Sequence, residues 1–505
     1  MKRLIVFLVL LAAALTTREA HAAYRIIRLD TTGDAGWFSS IALDSANRPV
    51  VSYFDDATDD LRVAICATPR CNYWRVVPVD TAGSVGDYTA LTLDANDHPV
   101  ISYRAAFDSD LKVAICGDPL CSTATLRTLD SNGFVGAHTD IALDCFVNPV
   151  ISYADTLNGI LKVAICGDPP CATVTIQLVD DTGFSGLYTS LALDAADRPT
   201  ISYYDEATRD LRVARCTDAL CSAATLITLD DTDEVGLYTS LALDADNHPV
   251  VSYLDLTNTT LDLARCDDAT CTTVALTTLD PTPGVGLDTS LVLDPDGSPA
   301  VSYFDADGQT LRLAVCADPD CDTISIETLD DGPGVGSYTS IALPPSGDPV
   351  ISYRDFANGD LLLVRAIAEI RLVTGDGLQA EEGGSTDSYA VAFEYAPQQP
   401  VRVTLSTDEE CTVSPTAFTR SRTDWQTPET ITVAAVDDAI VEDPLHDCVI
   451  THTFSSGHAA FANPMVRVAG RPFDTGGLLL ATIVDDDIAP TRLRDRPPVW
   501  LPDQW

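Results

Sequence analysis

Seven prolines, Pro49, Pro99, Pro149, Pro199, Pro249, Pro299 and Pro349, stand fifty residues apart, and each leads through an apolar or Thr pair into Ser-Tyr. A chain that repeats at this period folds as a solenoid, a propeller or an array, because each copy buries its apolar face only against its neighbours. The unit decides which. Its fourth copy holds four β-like runs, "TSLALD", "PTISYYD", "DLRVARC" and "ATLITLD". Each is rich in β-branched and aromatic residues and bounded by Gly, Asp, Asn or Pro, which is how strands are written. No helical period is present. Four antiparallel strands per unit predict a propeller blade.

The fourth strand recurs at 74–80, 124–130, 174–180, 224–230, 274–280 and 324–330, and is missing after residue 366. The same pattern, "YRIIRLD", precedes the first copy at 24–30. The N-terminal strand is therefore expected to complete the last blade, closing a ring that otherwise ends in two open sheet edges. The predicted fold is all-β: a seven-bladed propeller over 23–366, then a second β domain.

Cysteine spacing follows the same period. The pairs are Cys66/Cys71, Cys116/Cys121, Cys166/Cys171, Cys216/Cys221, Cys266/Cys271 and Cys316/Cys321, each spanning the hairpin between the third and fourth strands. The repeats supply no matching His for zinc, so hairpin disulfides are expected. In the seventh copy the first position is Ala366, and the second falls at residue 21, ahead of the first strand. The pair is absent there for a topological reason. Cys411 and Cys448 form an expected seventh disulfide, which leaves Cys145 free.

Residues 1–22, "MKRLIVFLVLLAAALTTREAHA", have a basic start at Lys2-Arg3, an apolar run from Leu4 to Leu15, and Ala20-His21-Ala22 at the end. This is the pattern of a cleaved secretory signal, too short for a membrane span. The expected location is secreted, extracellular or at the cell surface, with the periplasm open, and no membrane span. A monomer is expected. The net charge of −45 argues against nucleic acid, whose phosphates need Lys and Arg. It suits divalent cations, cationic ligands or a salty medium.

Gly36, Gly86, Gly136, Gly186, Gly236, Gly286 and Gly336 precede the first strand of every copy, where a backbone conformation cheap only for Gly is expected. The loops predicted on one face carry Asp55, Asp155, Asp205, Asp255, Asp305 and Asp355, with Tyr88, Tyr188, Tyr238 and Tyr338. They read either as turn caps bonding their own backbone or as an acidic, aromatic platform for a cation, a glycan or a partner protein. Catalysis needs different groups in different roles, so exceptions to the repeat matter. Arg104, His138 and Asp140 are such exceptions and are predicted to be neighbours. They could bind an anion or do acid–base work, and ordinary drift explains them as well. The sequence has no Ser-x-Asp-x-Gly-x-Thr-Trp box, no His-rich metal cluster, no nucleophile elbow and no phosphate loop.

After Ala366 the composition changes. "PVRVTLSTDEECTVSP", "DWQTPETITVAAVDDAIVED" and "LLLATIVDDD" alternate apolar and polar residues, predicting a β-sandwich over 367–487. This region resembles the Calx-beta family in its divergent bacterial form, most specifically at Trp425–Glu442 and Asp485–Asp487. The resemblance implies Ca2+ held by acidic loops: Glu382, Asp408, Asp437, Asp438, the carbonyl of Ile440, Glu442, Asp485, Asp486 and Asp487. Such a carboxylate set suits a hard cation that takes six to eight oxygens. A further acidic position of the family is Leu445 here, so one or two ions are expected. Residues 488–505 read as an extended or disordered tail. The repeat half resembles uncharacterised secreted bacterial propellers with "ISYYD…LKVA" repeats, which implies a fold and no activity. Together these features point to an exported, calcium-assisted binding or adhesion protein. A polysaccharide-acting enzyme, a lyase or glycoside hydrolase using the acidic face, and a purely structural surface component are the alternatives.

Overall fold

The computed structural model describes residues 23–484 apart from 346, 368, 375–377, 383, 394–396, 398, 422, 437–444, 457–464 and 469–477. They fall into two compact units, residues 24–366 and the chain from Ile367 onward. Every regular element among the described residues is a strand.

The first unit consists of seven four-stranded sheets. Sheet 1 runs in order through Trp37–Leu43, Pro49–Asp55, Asp60–Cys66 and Trp74–Asp80, and sheets 2 to 6 repeat that order. Sheet 7 takes Val335–Ala342, Val350–Asp355 and Asp360–Ile367 from its own repeat, and its outer strand is the N-terminal Ala23–Asp30. Consecutive strands within each repeat pair antiparallel.

The six short-range disulfides are present as Cys66–Cys71, Cys116–Cys121, Cys166–Cys171, Cys216–Cys221, Cys266–Cys271 and Cys316–Cys321, with Cα atoms 4.7–4.9 Å apart. Each lies in the connection between the third and fourth strands, as expected. The first cysteine of each pair ends the third strand, as Cys66 ends Asp60–Cys66. The second, Cys71, Cys121, Cys171, Cys221, Cys271 or Cys321, lies in the turn, ahead of the fourth strand. The physical reason is the turn itself. Each of these six residues has φ between +47° and +56°. Its N–H donates at 2.9–3.1 Å to the carbonyl three residues back, of Thr68, Asp118, Asp168, Asp218, Asp268 or Asp318 respectively. The chain therefore doubles back before pairing resumes, and the disulfide fastens that tight turn to the end of the third strand. An L residue is uncommon in the left-handed region, and nothing in the C-x4-C spacing signals it. Cys145 is free and exposed.

The recurring Ser-Tyr ties each sheet to both neighbours. Ser52, Ser102, Ser152, Ser202, Ser252 and Ser302 bond the hydroxyls of Thr89, Thr139, Thr189, Thr239, Thr289 and Thr339 in the next sheet. Ser352 bonds Ser39 at 2.9 Å, which joins sheet 7 to sheet 1. The adjacent Tyr turns the other way. Tyr53, Tyr103, Tyr153, Tyr203, Tyr253, Tyr303 and Tyr353 donate to Asp30, Asp80, Asp130, Asp180, Asp230, Asp280 and Asp330, the last residue of the preceding outer strand, at 2.5–2.7 Å. All seven Tyr rings are fully buried, so each hydroxyl needs a partner and the repeat supplies one. Asp30 lets the N-terminal strand serve Tyr53 as the other outer strands serve their neighbours.

The glycine expectation holds. Gly236 has φ +99°, and a Cβ there would lie 2.7 Å from Leu211 Cα in the preceding sheet. Both the conformation and the close approach require Gly.

The second unit packs two five-stranded sheets about one core. One runs Cys411–Ser414, Glu429–Ala435, Asp387–Phe393, Glu369–Val373 and Met465–Val468; the other runs Gln379–Glu381, Leu478–Val484, Leu445–Ser456, Val401–Thr407 and Ala417–Arg420. Ile370, Val391 and Ile431 from the first meet Val403, Ile450 and Ile483 from the second. Cys411–Cys448 bridges the two sheets.

Candidate functional site

Seven first strands meet around a cavity of about 180 Å³. Its wall is two residue columns. The deeper one, Ser39 and its six Thr equivalents, is buried, and its hydroxyls are occupied by the Ser bonds above. Several also donate to the backbone carbonyl of the previous repeat, as Thr189 does to His138. The outer column is Phe38, Tyr88, His138, Tyr188, Tyr238, Asp288 and Tyr338.

All seven residues of that column have φ between +50° and +56°. A bulky residue in this left-handed region is strained, and such strain gathers at functional sites. Neighbouring rings touch. Centroids are 4.5 Å apart for Phe38–Tyr88, 4.4 Å for Tyr88–His138, 4.5 Å for His138–Tyr188 and Tyr188–Tyr238, and 4.8 Å for Phe38–Tyr338. The collar breaks once, between Tyr238 and Tyr338, where Asp288 stands. Tyr338 N–H donates to Asp288 Oδ2 at 2.7 Å. Burial pushes the Asp288 carboxyl up to about 6.

The structure brings Tyr88, Tyr188, Tyr238 and Tyr338 together on the cavity wall, apart from the Asp row with which they were expected to share a platform. It adds Phe38 and Asp288, which occupy the same column of the repeat and were legible as such. Trp37 packs beside Tyr338 at 5.4 Å, with the Arg354 guanidinium 4.1 Å over its ring. None of the disulfide cysteines lines this cavity.

The Asp row is placed differently. Asp55, Asp155, Asp205, Asp255, Asp305 and Asp355 are at most 5% exposed, so they form no surface platform. Each accepts a backbone N–H of its own turn at 2.7–3.2 Å. Cations from the neighbouring strand complete four of them: Arg62 reaches Asp55 at 3.0 Å, Lys162 reaches Asp155 at 2.8 Å, Arg212 reaches Asp205 at 2.8 Å and Arg312 reaches Asp305 at 2.7 Å. Burial opposes the charge of Asp155, yet Lys162 and Asn158 hold its carboxyl below the usual carboxylate range.

Repeat 5 breaks this rule, because Asp262 stands where those repeats have Lys or Arg. Burial, with Asp255 and Asp230 nearby, pushes Asp262 up to about 6. Asp262→Lys should stabilise the repeat unit at pH 7.5 by about 1–3 kcal/mol, as a charge-assisted bond replaces a repulsion. A carboxyl whose pKa is raised by folding lends its stability below its unfolded pKa and loses it as pH rises through the folded one. The parent therefore recovers between about pH 6 and pH 4, and the variant's advantage shrinks over that window. Denaturant unfolding at pH 7.5 and 4.5 measures both, and an unchanged midpoint at pH 7.5 rules the account out.

The Arg104, His138 and Asp140 group does not assemble as an acid–base trio. His138 lies in the collar, where burial and then Arg104 hold its pKa down to about 3, so it is neutral at pH 7. Arg104 pairs across the sheet with Asp87 and donates to Ser109 Oγ at 3.3 Å. Asp140 has a structural task. Elsewhere in this column Ser40, Ser190, Ser240, Ser290 and Ser340 accept a backbone N–H from the next repeat at 3.0–3.2 Å. Repeat 2 has Ala90, which cannot accept. Asp140 accepts Leu191 N–H at 2.7 Å, as a Ser there would, and also Ile141 N–H at 2.8 Å, which Ala90 leaves without a side-chain acceptor.

Of the expected calcium ligands, Asp437, Asp438, Ile440, Glu442, Asp485, Asp486 and Asp487 lie outside the described residues. Glu382 is buried, and Asp408 is exposed, accepting Val449 N–H at 2.8 Å. Among the described residues the one group with metal-ligand proximity is Asp408 with Cys411 and Cys448. Those sulfurs are bonded to each other and leave Asp408 alone.

No known protein family and no curated protein matches the chain. Among solved structures it is similar to the intramolecular trans-sialidase from Ruminococcus gnavus in complex with oseltamivir carboxylate, at 12% identity and a TM-score of 0.40, over 68% of this chain and 96% of that one. At this distance no residue correspondence is carried over.

Proposed function

We propose that this is an exported binding protein: a seven-bladed propeller whose axial bowl takes the ligand, followed by a Calx-beta-like sandwich that holds calcium. One observation supports the binding site above all. Six aromatic rings are held in strained backbone around a cavity, and a single carboxylate interrupts them. The same strained conformation recurs seven times at one column, and it turns the rings that pack sheet against sheet toward one cavity, as a preformed ligand site requires. Binding is favoured over acid–base catalysis because Asp140 is turned to backbone N–H groups and His138 is neutral among aromatic neighbours. Calcium rests on the acidic sequence of Asp437–Glu442 and Asp485–Asp487. The seven disulfides fit an oxidising location outside the cytosol, and no helix among the described residues is long and apolar enough to cross a membrane.

The test is a binding screen of the full chain against glycans, peptides and small metabolites, in millimolar calcium and in chelator. It is repeated with Tyr88→Ala/Tyr238→Ala. The expected hit weakens by about tenfold or more in the variant, the loss of one good contact. A hit that ignores the variant refutes the axial site, a turned-over hit supports the enzyme instead, and identical results in chelator refute calcium's assistance to that binding.

A further inference from the structure

The collar's chemistry is narrow. The Thr hydroxyls behind it are already bonded to Ser side chains, and several also to backbone carbonyls. His138 is neutral. No Lys or Arg lines the cavity. What faces a ligand is aromatic surface from Phe38, Tyr88, Tyr188, Tyr238 and Tyr338, plus the Asp288 carboxylate. The faces of such rings carry partial negative charge and attract cations. A sugar would need several free donors and acceptors to fix its hydroxyls, whereas this wall has one charged acceptor, Tyr hydroxyls of which those of Tyr188 and Tyr238 bond each other, the His138 ring, and otherwise π surface. A primary ammonium carries three N–H donors, each needing an acceptor, and is held less well by ring faces than by a ring of oxygens. A methylated ammonium has none to satisfy.

Resting on the axial site above, we propose that its ligand is a quaternary or methylated ammonium group, enclosed by the collar with Asp288 as its counter-ion. The seat is one repeat wide, since Asp288 is the sole carboxylate of its column, so one ammonium binds per chain. Burial of a carboxylate without a cation beside it raises its pKa, and Asp288 shows that rise. The acidic protein, at −45, draws cations toward the bowl before they meet it.

The experiment titrates the full chain with choline chloride by calorimetry at physiological salt. Three comparisons go with it: 3,3-dimethyl-1-butanol, the uncharged carbon analogue of choline; Asp288→Asn; and Tyr238→Leu. Asparagine keeps the shape and the oxygen that accepts Tyr338 N–H, so melting should not change. The expected result is saturable binding of one choline, weaker by at least about tenfold for the analogue and for either variant. No choline binding, equal binding of the analogue, or Asp288→Asn binding as tightly as the parent overturns the proposal. Should Asp288→Asn unfold, Tyr238→Leu and the analogue decide it. If choline is silent while a screen hit is lost in Tyr88→Ala/Tyr238→Ala, the axial site stands and its ammonium chemistry falls. If choline binds unchanged in that double variant, both fall.

Discussion

A chain lacking residues 23–30 should lose cooperative unfolding of the repeat unit and aggregate on mild heating. The deletion uncovers the edge of Asp360–Ile367, the strand beside which Ala23–Asp30 lies. It removes the buried Ile27 and Leu29, at 4% and 3% exposure, worth about 1.5–3 kcal/mol each. It also removes Asp30, leaving the fully buried Tyr53 hydroxyl without its acceptor, the Arg28–Asp360 pair at 2.5 Å, and Leu29 O, which accepts Trp74 Nε1–H at 2.7 Å. Leaving the buried Tyr53 hydroxyl unsatisfied costs about 1–3 kcal/mol. Together these losses approach the roughly 5–15 kcal/mol by which folded proteins are stable. An open edge strand then pairs with other chains. Circular dichroism and light scattering during heating measure the effect. A synthetic peptide of residues 23–30, added to the truncated chain, should restore the transition. A truncated chain that melts like the parent means the ring is not closed by this strand.

Gly236→Ala should cost about 2–5 kcal/mol, and Gly83→Ala only about 1–2 kcal/mol. Both glycines have nearly the same positive φ, +99° and +98°. Both substitutions therefore bring the left-handed penalty of an L residue, about 1–2 kcal/mol. They differ in what the new methyl meets. At Gly83 nothing lies within 4 Å, whereas at Gly236 Leu211 Cα lies at 2.7 Å and its Cβ at 2.9 Å. Backbone of a neighbouring sheet cannot rotate away as a side-chain tip can, so the overpacking term, about 1–3 kcal/mol, is added at Gly236 alone. Denaturant midpoints of the two variants give the comparison. Equal losses would mean the sheets separate easily, and that Gly at this column serves conformation without close packing.

The local features were legible in the sequence. The period, the four strands, the outer strand displaced to residues 24–30, the pairing of the six short-range disulfides and the free Cys145 all depend on neighbours within one repeat or on the register between repeats. Sheet pairing and hairpin crosslinks are set at that range. The backbone that carries the crosslinks was not legible. Cys71 and its five equivalents sit in a left-handed turn, and spacing between cysteines says nothing about the φ at either one. The column Phe38, Tyr88, His138, Tyr188, Tyr238, Asp288, Tyr338 was equally visible, yet its meaning was not, since these residues meet only when seven copies surround one axis.

The burial of charge was decided by tertiary structure. Asp55 and its equivalents end strands at turns, a place that in sequence reads as surface. What meets such a carboxylate inside the protein comes from its own turn and the adjacent strand: a cation seven residues later for four of them, and Asn258 and Asn358 of the turn for Asp255 and Asp355. Arg62, Lys162, Arg212 and Arg312 pair with four of those carboxylates inside the protein, since a buried charge is costly unless paired and hydrogen-bonded. Asp140 teaches the same lesson across a longer distance. It looks like a departure with a chemical purpose, but its carboxylate takes over the bond that Ala90 cannot make, fifty residues earlier in the chain and one sheet away in space. A repeat fixes by sequence where its strands pair. The unpaired backbone and charge that remain at the seams between sheets are settled by whatever side chain the next sheet brings there.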